Sequence, residues 1–170
     1  HDIKTFSNNI LGIPFSRTED DIATVDLNIK CKVSFAEFPI FHPYPGTELG
    51  DLCVKEGFSD RNYENLHMSY MEKSPLSCFS EKEKAIQKNI SELGLLAVVF
   101  PFTRSLILRR LIYFPNNKIF FFLYYFVKAY LVKTKVYPFK MGVKNLFRLF
   151  LKSIRLERFK RSKEDLRGIK

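Results

Sequence analysis

The stretch His42–Gly57, HPYPGTELGDLCVKEG, constrains the fold of this chain more than any other. It follows an apolar run, Val33–Phe41, and sets two prolines and a glycine within the four residues Pro43–Gly46. Proline has no N–H to give a sheet ladder, so the run must end there as a strand. Thr47 then supplies a helix cap and Gly57 a stop, giving strand, rigid loop and short helix. The same order occurs about thirty residues earlier in Thr5–Asp21, TFSNNILGIPFSRTEDD. There Thr5–Ile13 reads as a strand ended by Gly12 and Pro14. The capping box Ser16-x-x-Glu19 opens a helix whose core face, Ile22, Val25 and Ile29, runs to about Lys30. Val33–Phe41 is apolar apart from Ser34 and Glu37, as expected where helices cover both faces of a parallel sheet. Two consecutive units of this kind put both loops at the C-terminal edge of parallel strands, where α/β folds bind ligands.

Residues 58–79 lack periodicity and read as a covering loop that contains His67 and Met68. A second capping box, Ser80-x-x-Glu83, opens a long helix to about Phe100, with Ile86, Ile90, Leu93 and Ala97 on its core face. Pro101, Pro115 and Pro138 divide the remainder into helices near 103–113, 116–135 and 141–160. The last pairs an apolar stripe, Leu146, Phe150 and Ile154, with a basic one, Lys144, Arg148, Lys152 and Arg155. Three regions follow: 1–57, 58–100 and 101–170.

The charge of +10 is unevenly spread. Residues 1–100 carry 10 Lys/Arg against 15 Asp/Glu, and residues 101–170 carry 18 against 3. A mildly acidic α/β half is thus followed by a basic, aromatic-rich one, which suits an anionic partner: lipid head groups, nucleic acid or an acidic protein face. No base-stacking platform or basic groove motif is legible, which disfavours nucleic acid. Cys31, Cys53 and Cys78 are too scattered for a disulfide framework or a metal cluster and read as reduced thiols of a cytoplasmic protein. The longest apolar run, Ile119–Val132, has 14 residues and contains Lys128. A spanning helix needs about 20, so a buried or interfacial helix is expected.

Taken together, the two loops resemble those of the radical S-adenosylmethionine superfamily. The likeness is closest to its group with an N-terminal cobalamin-binding domain, which includes relatives of the magnesium-protoporphyrin ester cyclase. It is carried by Ile10-Leu11-Gly12-Ile13-Pro14 with Glu19-Asp20-Asp21, by His42-Pro43-Tyr44-Pro45-Gly46-Thr47-Glu48-Leu49, and by Lys55-Glu56-Gly57. It covers residues 3–100 well and the basic extension less specifically. The resemblance implies an α/β fold: the last two strand–helix units of a partial (β/α)6 barrel, followed by an α-helical extension. It further implies an enzyme that cleaves S-adenosylmethionine with a [4Fe–4S] cluster to a 5′-deoxyadenosyl radical and modifies a substrate carbon, by methylation or cyclisation for example. Asn8, Ile10 and Gly12 in the fifth strand, and His42, Pro43 and Tyr44 at the end of the sixth, would contact the cofactor. Cobalamin is a further cofactor of that group.

Two departures qualify the likeness. Phe15-Ser16 stand where the family has Gly-Glu, and a phenylalanine disfavours positive φ, so a displaced loop is expected. The family's C-x3-C-x2-C loop, whose three thiolates hold the cluster, does not occur in these 170 residues. The expected partners are therefore a preceding part of the same enzyme that carries this motif, a small-molecule substrate that can be hydrophobic, and a membrane surface touched by 101–170. No catalytic residue and no metal ligand is assigned in the chain. Glu37 either faces the barrel lumen and acts on substrate or pairs with a Lys or Arg on a neighbouring strand of the preceding part, and His42 either contacts substrate or cofactor or is a hydrogen-bonded loop residue. A non-catalytic membrane-surface module is the alternative.

Overall fold

A computed structural model describes residues 3–60 and 71–136, together with positions 142, 144, 145, 147, 148, 151 and 152. The fold is mixed α/β and mostly helical. Strand β1 (Phe6–Asn8) and strand β2 (Phe35–Glu37) pair in parallel, with Phe6 opposite Phe35 and Asn8 opposite Glu37. Helix α1 (Thr18–Lys30) connects them. The regular strands are shorter than the apolar runs predict, but the pairing extends further. Phe35 N–H donates to Thr5 C=O at 3.1 Å, Leu11 N–H to Pro39 C=O at 2.9 Å and Phe41 N–H to Leu11 C=O at 2.8 Å. Pro39, which lacks a donor, lies where β2 loses its regular form.

The pleat sends alternate side chains to opposite faces. Ala36 and Phe38 join Leu11 and Val25 in a core built against helix α3 (Glu81–Val99), which contributes Ile86, Ile90, Leu93 and Ala97. Phe35 points the other way, into a second cluster with Leu95 and with Tyr124, Tyr125, Val127 and Leu131 of helix α5 (Lys118–Leu131). Helix α3 is therefore the central pillar, buried along most of its length between the sheet and the basic half. Helix α2 (Glu48–Lys55) rests on a smaller cluster of Phe41, Cys53, Leu76 and Phe79.

Most helix starts follow the sequence. Thr47 Oγ1 accepts from Gly50 N–H at 3.1 Å, and Ser80 Oγ accepts from Glu83 N–H at 3.3 Å while Glu83 returns a bond to Ser80 N–H at 2.8 Å. The start of α1 differs from expectation. Arg17, not Ser16, is the cap residue, and its N–H donates to Asp20 at 2.8 Å. Ser16 is consumed instead by a turn in which its N–H donates to Ile13 C=O at 2.9 Å.

The helix expected over 103–113 is broken. Helix α4 (Arg104–Arg109) is flanked by 3₁₀ turns at Pro101–Thr103 and Leu111–Tyr113. The buried Asn89 of α3 imposes the second turn by donating to Ile112 C=O at 3.0 Å and Phe114 C=O at 2.7 Å. The expected helix over 116–135 is α5 plus a π-helical turn, Val132–Val136. The helix expected over 141–160 falls largely outside the described residues, as do His67 and Met68. No helix among the described residues is long and apolar enough to cross a membrane.

Candidate functional site

An open, mostly apolar groove of about 550 Å³ lies where the two strands end. Ile10 and Ile40 come from the strand ends, Phe41, His42 and Tyr44 from the loop after β2, and Leu49 from the first turn of α2. Thr47 and Glu48 add polar atoms at the rim. Three of the six residues expected to contact a ligand, Ile10, His42 and Tyr44, thus come together. Asn8, Gly12 and Pro43 do not line the groove. Asn8 is exposed in β1, Gly12 is buried beyond the last strand bridge and Pro43 is fully buried under the loop.

The groove's loop is held rigid by local chemistry. Thr47 Oγ1 donates to Tyr44 C=O at 2.8 Å and accepts from Gly50 N–H, tying the loop to α2. A Cβ on Gly50 would collide with the Tyr44 carbonyl, so this close approach requires glycine. His42 is buried, with its Nδ1 2.9 Å from Ile40 C=O. A carbonyl only accepts, so Nδ1 carries the proton and the ring is oriented by its own strand.

The loop after β1 is a tight turn. Phe15 occupies positive φ, at 67°, in the turn closed by Ser16 and Ile13, with Pro14 before it. A β-turn with proline first and positive φ second favours glycine at the second position. The chain keeps this left-handed residue in spite of the phenylalanine, at a cost of about 1–2 kcal/mol. The exposed ring lies edge-on to Phe58, with centroids 5.2 Å apart, and so ties the loop after β1 to the segment that follows α2. Phe15 therefore takes the positive φ that a phenylalanine disfavours, with its ring turned outward against Phe58.

Gly12 is also at positive φ, 62°, and its N–H donates to Asp21 Oδ1 at 3.0 Å. Burial raises the Asp21 carboxyl from 3.8 to about 6, opposed by the Gly12 hydrogen bond and assisted by Asp20. Its second oxygen and the amide oxygen of Gln87, whose side chain packs on Gly12, have no hydrogen-bond partner among the described residues. The acidic triplet Glu19-Asp20-Asp21 therefore divides its work. Asp20 caps the helix and Asp21 secures the turn.

Sequence reasoning missed a polar network beneath the strands. Ser7 Oγ donates to Asn28 Oδ1, Asn28 Nδ2 donates to Asn9 Oδ1 at 2.8 Å, and Asn9 Nδ2 donates to Glu37 C=O at 3.0 Å. The signal was the polar Ser7-Asn8-Asn9 run inside an otherwise apolar strand. Glu37 has a partner that the sequence did not indicate, Lys128 of α5, at 2.6 Å.

Among the described residues no three His, Cys, Asp or Glu side chains converge to hold a metal ion. Cys31, Cys53 and Cys78 are free thiols, and burial raises the pKa of the latter two above the usual thiol value. What the site offers is a preformed, largely apolar wall with a few fixed polar groups at its rim, suited to a flat heterocycle or an apolar small molecule. No family model matches the chain, and no curated protein or solved structure matches it.

Proposed function

We propose that this chain is the C-terminal part of a radical S-adenosylmethionine enzyme that modifies a substrate carbon. β1, α1 and β2 would be the fifth and sixth strand units of its partial (β/α)6 barrel. The observation that carries this reading is the parallel, in-register pairing of β1 with β2, which brings the ILGIP and HPYPGTEL loops to one edge beside the groove. Ile10, Ile40, Phe41 and Tyr44 would receive the adenosyl part, because an apolar wall with an exposed tyrosine suits a purine face. When bound to a [4Fe–4S] cluster, S-adenosylmethionine supplies a one-electron route to an unactivated carbon. The cluster ligands would come from another part of the polypeptide, and any cobalamin likewise. The residues of this chain would bind and orient: Thr47 and Gly50 hold the loop, and His42 keeps a fixed ring at the wall.

The test begins with the coding sequence preceding His1, where a C-x3-C-x2-C loop is expected within about 200 residues. The full polypeptide, reconstituted anaerobically with iron and sulfide, should release 5′-deoxyadenosine from S-adenosylmethionine under reduction. Ile10→Asp should lower that release at unchanged cluster content. An open upstream frame without the cysteine motif sinks the proposal.

A further inference from the structure

We propose that the outer face of α5 is a docking surface for a lipid bilayer bearing anionic head groups. The helix is amphipathic in an unusual sense. Its internal charge, Lys128, points inward to Glu37, and Tyr124 and Tyr125 are buried beside it. Its outward stripe at 3–4 residue spacing is Ile119, Phe122, Phe126 and Tyr130, with Ile119 74% and Phe126 68% exposed. The outward side of a surface helix is ordinarily polar. A contiguous exposed apolar face marks contact with another body.

The charges identify that body. From Leu93 to Leu156 the chain has 12 Lys/Arg and no Asp or Glu, and among the described residues Arg104 and Lys128 are paired with acids of the α/β layer. Lys118 opens α5, and Lys133 and Lys135 lie in the turn that follows it. Helix α4 repeats the arrangement with exposed Leu106 beside exposed Arg109 and Arg110. Protein-binding faces are depleted in lysine. An aromatic stripe with lysines at both ends of its helix is the chemistry of a helix lying in the plane of an anionic bilayer interface. α5 spans 14 residues, which is too few to cross a bilayer, so the contact is peripheral. The basic stripe over 141–160 would add attraction but is not required. This inference is independent of what the groove binds.

The chain contains no tryptophan, so Phe126→Trp in the full chain makes a clean reporter. On phosphatidylcholine vesicles containing about one third phosphatidylserine, its emission should shift to the blue and be quenched by brominated lipid, and the protein should sediment with the vesicles. Phosphatidylcholine alone should retain little. Phe122→Ser should weaken association about tenfold, and Lys133→Ser with Lys135→Ser by a similar factor, each at unchanged melting temperature. Four results would each overturn the proposal: no shift on anionic vesicles at low salt, equal binding to neutral vesicles, full binding by Phe122→Ser, or a shift evoked by RNA or by self-association and not by vesicles.

Discussion

The Nζ of Lys128 donates to Glu37 Oε1 at 2.6 Å across 91 residues of sequence, and to Tyr124 Oη at 3.1 Å. The one charge inside the longest apolar run thus meets the one acid inside the second strand. Arg104 does the same for Asp26 of α1, with Nε 2.6 Å from Oδ1 and Nη2 on Oδ2. The charge asymmetry between the halves is in part an internal complement that fastens the helical extension to the α/β layer.

The Glu37–Lys128 pair is mostly withdrawn from solvent, so removing one partner strands a partly desolvated charge. Lys128→Met should destabilise the chain by about 1–3 kcal/mol, and Glu37→Gln in the same molecule should recover part of the loss. Urea denaturation of the two single variants and the double variant reads the coupling, which should be non-zero and favourable.

Phe15 predicts an inversion of the usual order of substitutions. At ordinary φ, glycine is less stable than alanine by about 0.5–1 kcal/mol. At φ 67° alanine keeps the strain while glycine releases it. Phe15→Gly should therefore be more stable than Phe15→Ala by about 1 kcal/mol, with the ring contact to Phe58 lost in both. Thermal melting of the pair decides it.

Asp21 should give stability a pH dependence of defined sign. Its carboxyl titrates near 6 in the folded chain, against an ordinary value of 3.8 when solvated, so the folded state binds the proton more tightly. This group's contribution therefore falls as pH rises from about 4 to about 6 and is constant above. Asp21→Asn keeps an oxygen for Gly12 N–H and removes the charge. It should raise stability at pH 7 by about 1–3 kcal/mol and flatten that limb of the profile. Denaturation midpoints at intervals from about pH 4 to 7.5 test both points.

Gly50 lies inside α2, where alanine would ordinarily add about 1 kcal/mol. Because a Cβ there meets the Tyr44 carbonyl and Thr47 Oγ1, Gly50→Ala should instead destabilise by roughly 2 kcal/mol. It should also speed proteolysis in the loop. Thr47→Ala, which removes the cap, should cost about 1 kcal/mol.

The candidate site was half legible. Ile10, His42 and Tyr44 could be named because proline and glycine in the two loops mark strand ends, and a parallel pairing brings such ends together. Asn8, Gly12 and Pro43 belong to the same motifs but serve the backbone, and motif membership alone does not say which way a residue faces. Asn28 and Asn89 were not singled out because a polar residue within a helix pattern ordinarily reads as solvated. Burial against the strands and against the turn after α4 gave each its partners.

What the sequence determined by itself was local: the order of elements, the Thr47 and Ser80 caps and the stop at Gly57. These depend on dihedral limits and on hydrogen bonds within a few residues, which any chain of this composition meets before it folds further. Tertiary structure decided how Phe15 tolerates a left-handed conformation, where Glu37 finds its cation and which face of α5 turns outward. Each of those depends on a surface brought up from elsewhere in the chain, as the separations of 78 and 91 residues between Asp26 and Arg104 and between Glu37 and Lys128 make plain. Desolvation at such a contact changes the energy of a charged or strained residue by more than any local preference does.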